Sequence, residues 1–198
     1  MVVPPIPPSP MTKDDQRKAL RRRRTDYVRA LSLDARSALH TALAEQVCRR
    51  LPSGTIIGSY RAIGSEIDPA RIIERAAALG HDIAYPWFEN RAADMQFRQS
   101  DEFVTGPFSF PQPLPTAVLR IPDIVLVPLI GVDRSGNRLG QGAGHYDRYL
   151  ADCASIKPIF TIGLCYDMQI VDQLTADPWD IAMQAIATPE HWILVTAG

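Results

Sequence analysis

The tightest constraint on this chain is a glycine at every second position in Gly140-Gln141-Gly142-Ala143-Gly144, set between an apolar run and an amphipathic one. The apolar run, Ile124-Val125-Leu126-Val127-Pro128-Leu129-Ile130, reads as a core strand, and Tyr146 to Cys153 reads as the helix that follows. Glycine has no Cβ, so backbone N–H groups in such a loop can close on an anion, and the helix N-terminus adds partial positive charge. Arg138 before the loop is a phosphate partner by type, and Asp147 after it is a Mg²⁺ ligand by type. The string is not a P-loop, because no Gly-Lys-Ser/Thr closes it, and it lacks the Gly-x-Gly-x-x-Gly of dinucleotide sites. Spacing alone leaves two readings open: a tight structural turn from strand to helix, or a nucleotide phosphate site that uses a metal.

Length narrows the frame. The 198 residues are enough for one domain with a substantial core, and a hydrophobic share of 46% is ordinary for a soluble globular protein. No apolar run approaches the roughly 20 residues of a membrane span, so no membrane partner is expected. Met1 to Pro10 is proline-rich and lacks the basic and continuous apolar regions of a signal peptide. Residues 1–12 are therefore expected to be a disordered tail, and 13–198 one domain. Cys48, Cys153 and Cys165 have no Cys-x-x-Cys spacing, which points to buried reduced thiols in a cytoplasm. Charge is uneven: residues 11–50 hold 11 Lys and Arg against 5 Asp and Glu, on an otherwise acidic body. That asymmetry suits an anionic ligand without naming one.

Residues 13–31 read as a helix with Leu20, Tyr27, Val28 and Leu31 on one face; Ser32 caps a second, carrying Leu39, Leu43, Val47 and Leu51. Thr55–Tyr60 predicts a strand; Asp68 as cap and Pro69 as first residue predict a helix ended by Gly80; Asp82–Pro86 predicts the next strand. Met95–Arg98 alternates like an edge strand, and residues 106–115, with four prolines, predict an extended loop. Further strands are expected at Pro158–Leu164, Gln184–Ala187 and Trp192–Val195. The fold class is α/β: a three-layer, Rossmann-like arrangement with a mostly parallel central sheet and amino-terminal helices, its ligands at the carboxyl ends of strands.

Candidate site residues carry two readings each. Arg17 and Arg21 lie four apart, so both can reach one anion, yet Arg22, Arg23 and Arg24 make a solvated basic face equally natural. Glu66, alone, reads as a solvent-facing loop carboxylate. Asp147 and Asp180 suit Mg²⁺, which takes one or two carboxylates beside phosphates and water, and each also suits a cap or turn. His145 can serve as a pocket wall or a base, and Tyr146, Trp87 and Phe97 as stacking surfaces or core. His40, His81 and His191 have no metal-ligand spacing and read as structural or surface groups.

The whole string Arg138-Leu139-Gly140-Gln141-Gly142-Ala143-Gly144-His145-Tyr146-Asp147-Arg148 resembles the signature of the 5-formyltetrahydrofolate cyclo-ligase (methenyltetrahydrofolate synthetase) family. Further segments follow in that family's order: Arg17-Lys18-Ala19-Leu20-Arg21, Phe110-Pro111-Gln112-Pro113, Gly163 to Gln169, and Trp179-Asp180-Ile181 ahead of Ile186-Ala187-Thr188-Pro189. The resemblance runs from about Arg17 to Trp192. It implies an ATP-dependent ligase, with Mg²⁺, that cyclises 5-formyltetrahydrofolate to 5,10-methenyltetrahydrofolate and releases ADP and phosphate. It also implies ATP binding by Arg17, Arg21 and the run Arg138 to Tyr146, with Asp147 and Asp180 on the metal. Folate falls to Arg61, Glu66, Gly142, Gly144 and His145. Two departures stand out: Arg17 replaces the usual lysine, and Arg61 a usually apolar residue. A cytoplasmic monomer without a nucleic-acid partner is expected. The competing expectations are a nucleotide- or RNA-binding module without catalysis, and an ATP-dependent enzyme acting on another small molecule.

Overall fold

Local capping chemistry sets the first helices. In the computed structural model, which describes residues 12–196, Thr12 Oγ1 accepts the Asp15 N–H at 3.2 Å and starts α1 (Lys13–Ala30). Ser32 Oγ accepts the Ala35 N–H at 3.1 Å and starts α2 (Leu33–Cys48), as its sequence predicts. Thr12 thus belongs to the folded body, while the rest of the expected tail, residues 1–11, lies outside the described residues.

The strand–helix–strand unit follows as β1 (Ile56–Gly58), α3 (Ala70–Ala78) and β2 (Asp82–Trp87). The α3 boundary differs from expectation by one residue: Pro69 is the cap rather than the first helical residue, and Asp68 Oδ1 accepts the Ala70 N–H at 3.0 Å. Next come β3 (Gln96–Gln99), β4 (Phe103–Thr105), β5 (Pro111–Pro113), β6 (Val118–Arg120), β7 (Ile124–Pro128), β8 (Gly131–Asp133) and β9 (Arg138–Leu139). Helix α4 (His145–Cys153) precedes β10 (Phe160–Leu164), a 3₁₀ turn at Asp167–Gln169, β11 (Ile170–Val171), β12 (Ala185–Ala187) and β13 (Trp192–Leu194).

The main sheet has the order β13-β12-β10-β7-β1-β2-β3-β6. Its centre is parallel and its flanks antiparallel. Strand β7 shows why helices must cover both faces. Ile124 and Leu126 pack into a core with α2 and α3, while Val125 and Val127 pack into a second core with Tyr149, Leu150 and Cys153 of α4. That is the three-layer α/β architecture expected. All three cysteines are free and buried.

Three expectations need correction. Strand β3 is not an edge, because β6 pairs on its far side. The proline-rich stretch is not all loop: Pro111–Pro113 pairs antiparallel with β4, with Val104 opposite Gln112. A two-stranded ribbon tolerates prolines because only the N–H groups facing its single partner must be satisfied. Finally, β7 does not feed the glycine loop directly. The β8–β9 hairpin intervenes, with Ile130 N–H donating to Leu139 O at 2.7 Å.

Candidate active site

A single buried carboxylate shapes the hairpin that carries the glycine loop. Asp133 accepts the backbone N–H groups of Ser135 (2.9 Å), Asn137 (3.1 Å) and Leu174 (2.9 Å), and the Asn137 side-chain amide at 3.0 Å. Four donors on one side chain leave the turn little freedom, so Arg138 leaves it in a fixed direction. The loop then needs positive φ at Gly142 (105°) and Gly144 (66°), the second of which caps α4 in the left-handed region.

Helix α1 lies across this loop. Arg17 Nε donates to Gly140 O at 3.1 Å, and Arg21 Nη2 donates to Gln141 Oε1 at 2.6 Å. Gln141 Nε2 in turn donates to Glu66 Oε1 at 2.8 Å, whose other oxygen accepts the Ile63 N–H at 2.9 Å. Glu66 is only 6% exposed, so the solvent-facing reading of that residue is wrong. A further turn along α1, Arg24 is buried; it donates to Leu129 O and Ser65 Oγ, both at 3.1 Å. It joins the turn after β1 to the end of β7, and is no part of a solvated face.

The opposite wall holds carboxylates already engaged with cations. Arg138 Nη2 lies 2.8 Å from Asp147 Oδ1, which also accepts the Ile181 N–H at 3.1 Å. Lys13 Nζ lies 2.7 Å from both Asp177 Oδ2 and Asp180 Oδ2, and Asp180 Oδ2 accepts the Asp177 N–H at 2.8 Å. Burial raises the Asp180 carboxyl, but the Lys13 ammonium and that N–H outweigh it and hold the group below the usual carboxylate value. Among the described residues, one oxygen of each carboxylate, Asp147 Oδ2 and Asp180 Oδ1, has no hydrogen-bond partner. Arg138 Nε is also buried without one.

These walls enclose a cavity of about 570 Å³. Arg17, Arg61, Glu66, the whole run Arg138 to Asp147 and Asp180 all line it; Arg21 does not, and reaches it only through Gln141. His145 is a wall as expected, edge-on to Phe88 and Phe108 with ring centroids 4.8 and 5.4 Å away. Burial, then Arg148, lowers its basicity, so it is neutral near pH 7. Burial followed by Glu66 pushes the Tyr146 phenol up, so it stays protonated. Trp87 and Phe97 are not stacking surfaces here. Phe97 is fully buried against Tyr149, and Trp87 sits under Arg98 at 4.1 Å.

The sequence reading missed Phe88, Phe108, Phe110, Lys13, Asp177 and Trp179, which line the same cavity. Lys13 had a visible signal, since it stands four residues before Arg17 on the same helical face. Among the described residues the tightest group of metal-donor side chains is elsewhere. Asp167, Glu190 and His191 bring their donor atoms within 4.8 Å of one another, and none of the three lines the cavity. No helix among the described residues is long and apolar enough to cross a membrane.

Comparison with known proteins adds the chemistry. The family described as the 5-formyltetrahydrofolate cyclo-ligase family matches residues 11–189. A 5-formyltetrahydrofolate cyclo-ligase of Mycolicibacterium smegmatis is 30% identical over 94% of this chain and 98% of its own length. The mouse protein of that name is 26% identical over 89% of this chain and 95% of its own. In structure, the chain is similar to a 5,10-methenyltetrahydrofolate synthetase of Mycoplasma pneumoniae, with TM-score 0.67, 25% identity, and coverage of 90% and 99% of the two chains. The Aquifex aeolicus synthetase shares the fold at TM-score 0.77 and 22% identity, covering 95% of each chain.

Proposed function

This chain belongs to the 5-formyltetrahydrofolate cyclo-ligase family, and on that footing we propose a division of labour within its cavity. The reaction is the ATP-dependent cyclisation of 5-formyltetrahydrofolate to 5,10-methenyltetrahydrofolate with release of ADP and phosphate. One observation carries the assignment of residues. The Arg138 loop and Glu66 meet in the same cavity, tied by Gln141, so groups suited to a triphosphate and to a pterin face one space.

Arg17, Arg21 and the run Arg138 to Tyr146 hold the triphosphate: the guanidinium groups supply charge and the glycine backbone supplies N–H donors. Glu66 accepts the N–H donors of the pterin edge, with Gly142, Gly144, His145 and Arg61 around the folate. The carboxylates suit Mg²⁺: Asp147 Oδ2 and Asp180 Oδ1, on one cavity wall, are without partners among the described residues, and Mg²⁺ takes few protein ligands beside phosphates and water. When bound, the ion neutralises phosphate charge and fixes its geometry.

No side chain forms a covalent bond. The formyl oxygen attacks the γ-phosphorus and ADP leaves. N10 then adds to the activated formyl carbon, loses its proton, and phosphate departs with the former formyl oxygen. Arg138 and the loop N–H groups stabilise charge on the transferring phosphoryl group, while Glu66 fixes the pterin so that N10 reaches the carbon. The phenyl rings of Phe88 and Phe108 beside His145 shield the activated carbon from water.

The chain is proposed to act as a monomer, with residues 13–198 as one domain, in the cytoplasm, where its three buried thiols stay reduced. The basic character of α1 serves the cleft through Arg17 and Arg21 and the packing of the fold through Arg24, so no nucleic-acid partner is required to account for these three cations. The deciding assay mixes protein, MgATP and 5-formyltetrahydrofolate and follows the methenyl chromophore. No chromophore at high enzyme concentration rejects the reading.

A further inference from the structure

Arg61 differs from every other cation on the cavity wall. Lys13 is paired with Asp177 and Asp180, Arg17 with Asp14 and the Gly140 carbonyl, and Arg138 with Asp147. Among the described residues no carboxylate pairs with Arg61 and no acceptor takes its N–H groups. Its guanidinium carbon lies instead 3.8 Å from the Phe103 ring centroid and 5.5 Å from that of Tyr85. Those rings meet edge-to-face with centroids 5.2 Å apart, so β2 and the β4–β5 ribbon together build an aromatic shelf under the cation. An aromatic face stabilises the charge while consuming none of the five N–H donors.

A guanidinium seated on two rings, with its donors unspent, at the edge of a ligand cavity is a receptor for a planar anion, and a carboxylate matches its fork geometry. The folate reading above supplies such a group, and this inference rests on it. Glu66 seats the pterin in the same cavity, and the glutamyl part of the substrate is its only carboxylate-bearing portion. We propose that Arg61, seated on Phe103 and Tyr85, is the residue that recognises the glutamyl carboxylates of the folate, including those of γ-linked glutamate extensions. It determines specificity and takes no part in bond making.

Nucleotide phosphate is the other anion in the cavity, so the test separates the two. Calorimetric titration of wild type and Arg61→Leu would compare 5-formyltetrahydrofolate, its pentaglutamate and the glutamate-free 5-formyltetrahydropteroate. Arg61→Leu is expected to weaken both glutamylated ligands by about tenfold or more while leaving the pteroate within about twofold. The KM for ATP stays unchanged, and Arg61→Lys recovers part of the loss. Equal weakening of pteroate and folate would overturn the proposal in favour of pocket shape, and a raised KM for ATP would overturn it in favour of phosphate. Arg61→Gln, similar in length and polar, repeats the comparison should the leucine variant fold poorly. Because the readout is binding, the two readings fail separately. Wild type that binds folate better than pteroate but yields no methenyl product rejects the cyclo-ligase reading alone, whereas turnover with no Arg61-dependent discrimination rejects only this subsite.

Discussion

Gln141 and Glu66 share a hydrogen bond of 2.8 Å across 75 positions of sequence, and the acceptor of the same Gln141 amide holds Arg21 at 2.6 Å. One exposed loop side chain therefore touches both the group assigned to nucleotide and the group assigned to pterin. A pterin donor arriving at Glu66 Oε1 must share or replace the Gln141 amide. Gln141→Ala is expected to raise the KM for ATP by about tenfold, the lower end of the worth of one hydrogen bond to a charged group, without raising the KM for folate. Initial-rate kinetics with each substrate varied would check this, and a matching rise in the folate KM would mean that Gln141 supports the pterin seat.

Arg138→Ala removes the partner of Asp147 from a place where the arginine side chain is 5% exposed. Breaking a pair this buried costs about 3 kcal/mol, because the remaining carboxylate keeps its desolvation penalty without its compensation. Chemical denaturation should show that loss, and turnover should fall with ATP binding impaired more than folate binding. An unchanged denaturation midpoint would mean that water replaces the guanidinium at no cost.

The metal assignment makes a separate prediction. Chelation should abolish turnover and added Mg²⁺ should restore it. Asp147→Asn and Asp180→Asn should each require about tenfold more Mg²⁺ for half-maximal rate, corresponding to the loss of one charged ligand. Lys13→Ala, which releases Asp180 from its ion pair, should shift that requirement the other way. A Mg²⁺ requirement identical in all three variants would remove both carboxylates from the metal site.

The glycines of the loop are not interchangeable. Gly142 has φ 105°, where a Cβ costs about 1–2 kcal/mol whatever space surrounds it. Gly140 has no positive φ, and an added Cβ would meet nothing closer than Arg138 Nη1 at 4.0 Å. Gly142→Ala should lower the unfolding midpoint, and Gly140→Ala should leave it within about 0.5 kcal/mol of wild type. Equal losses would contradict the loop conformation described above.

Acid should loosen the fold through His40. Burial lowers its basicity, Asp68 opposes that, and Arg36 and Arg71 reinforce it; the ring nitrogen lies 3.2 Å from the Tyr166 hydroxyl. Its folded pKa lies below the ordinary 6.5, so the unfolded chain binds more protons in the interval between the two values. This contribution to stability is complete above pH 6.5 and is lost as pH falls through that interval. Denaturant midpoints measured from pH 7.5 to 5 should fall less steeply in His40→Gln than in wild type. Parallel slopes would place the acid sensitivity elsewhere.

The sequence made legible what is decided locally. Ser32 caps α2 because an N-cap needs only its own hydroxyl and an N–H three residues on, and β7 alternates between two cores because strand side chains must. What depends on distant partners was hidden. Arg24 looks like one more surface cation beside Arg22 and Arg23 until Leu129, 105 positions away, offers its carbonyl. Glu66 looks solvent-facing until Gln141 covers it. The prolines at Pro111 and Pro113 argue against a strand because neither has an N–H to give, and only the pairing with β4, a single partner on one side, reverses that argument. Likewise, the aromatic wall formed by Phe88, Phe108 and His145 brings two loop segments and the first residue of α4 together, and no window of sequence contains it.

The hydrogen bond from Arg17 to Gly140 joins positions 123 apart, which gives the site a history as well as a shape. During synthesis the first helices can form as soon as they emerge, but their basic face has nothing to hold until the glycine loop has been made. Closing so long a loop is entropically demanding, so the joint between α1 and the glycine loop belongs among the last parts of the protein to become ordered. The basic face of α1 therefore meets its loop only after β1, β2 and β7 have been made.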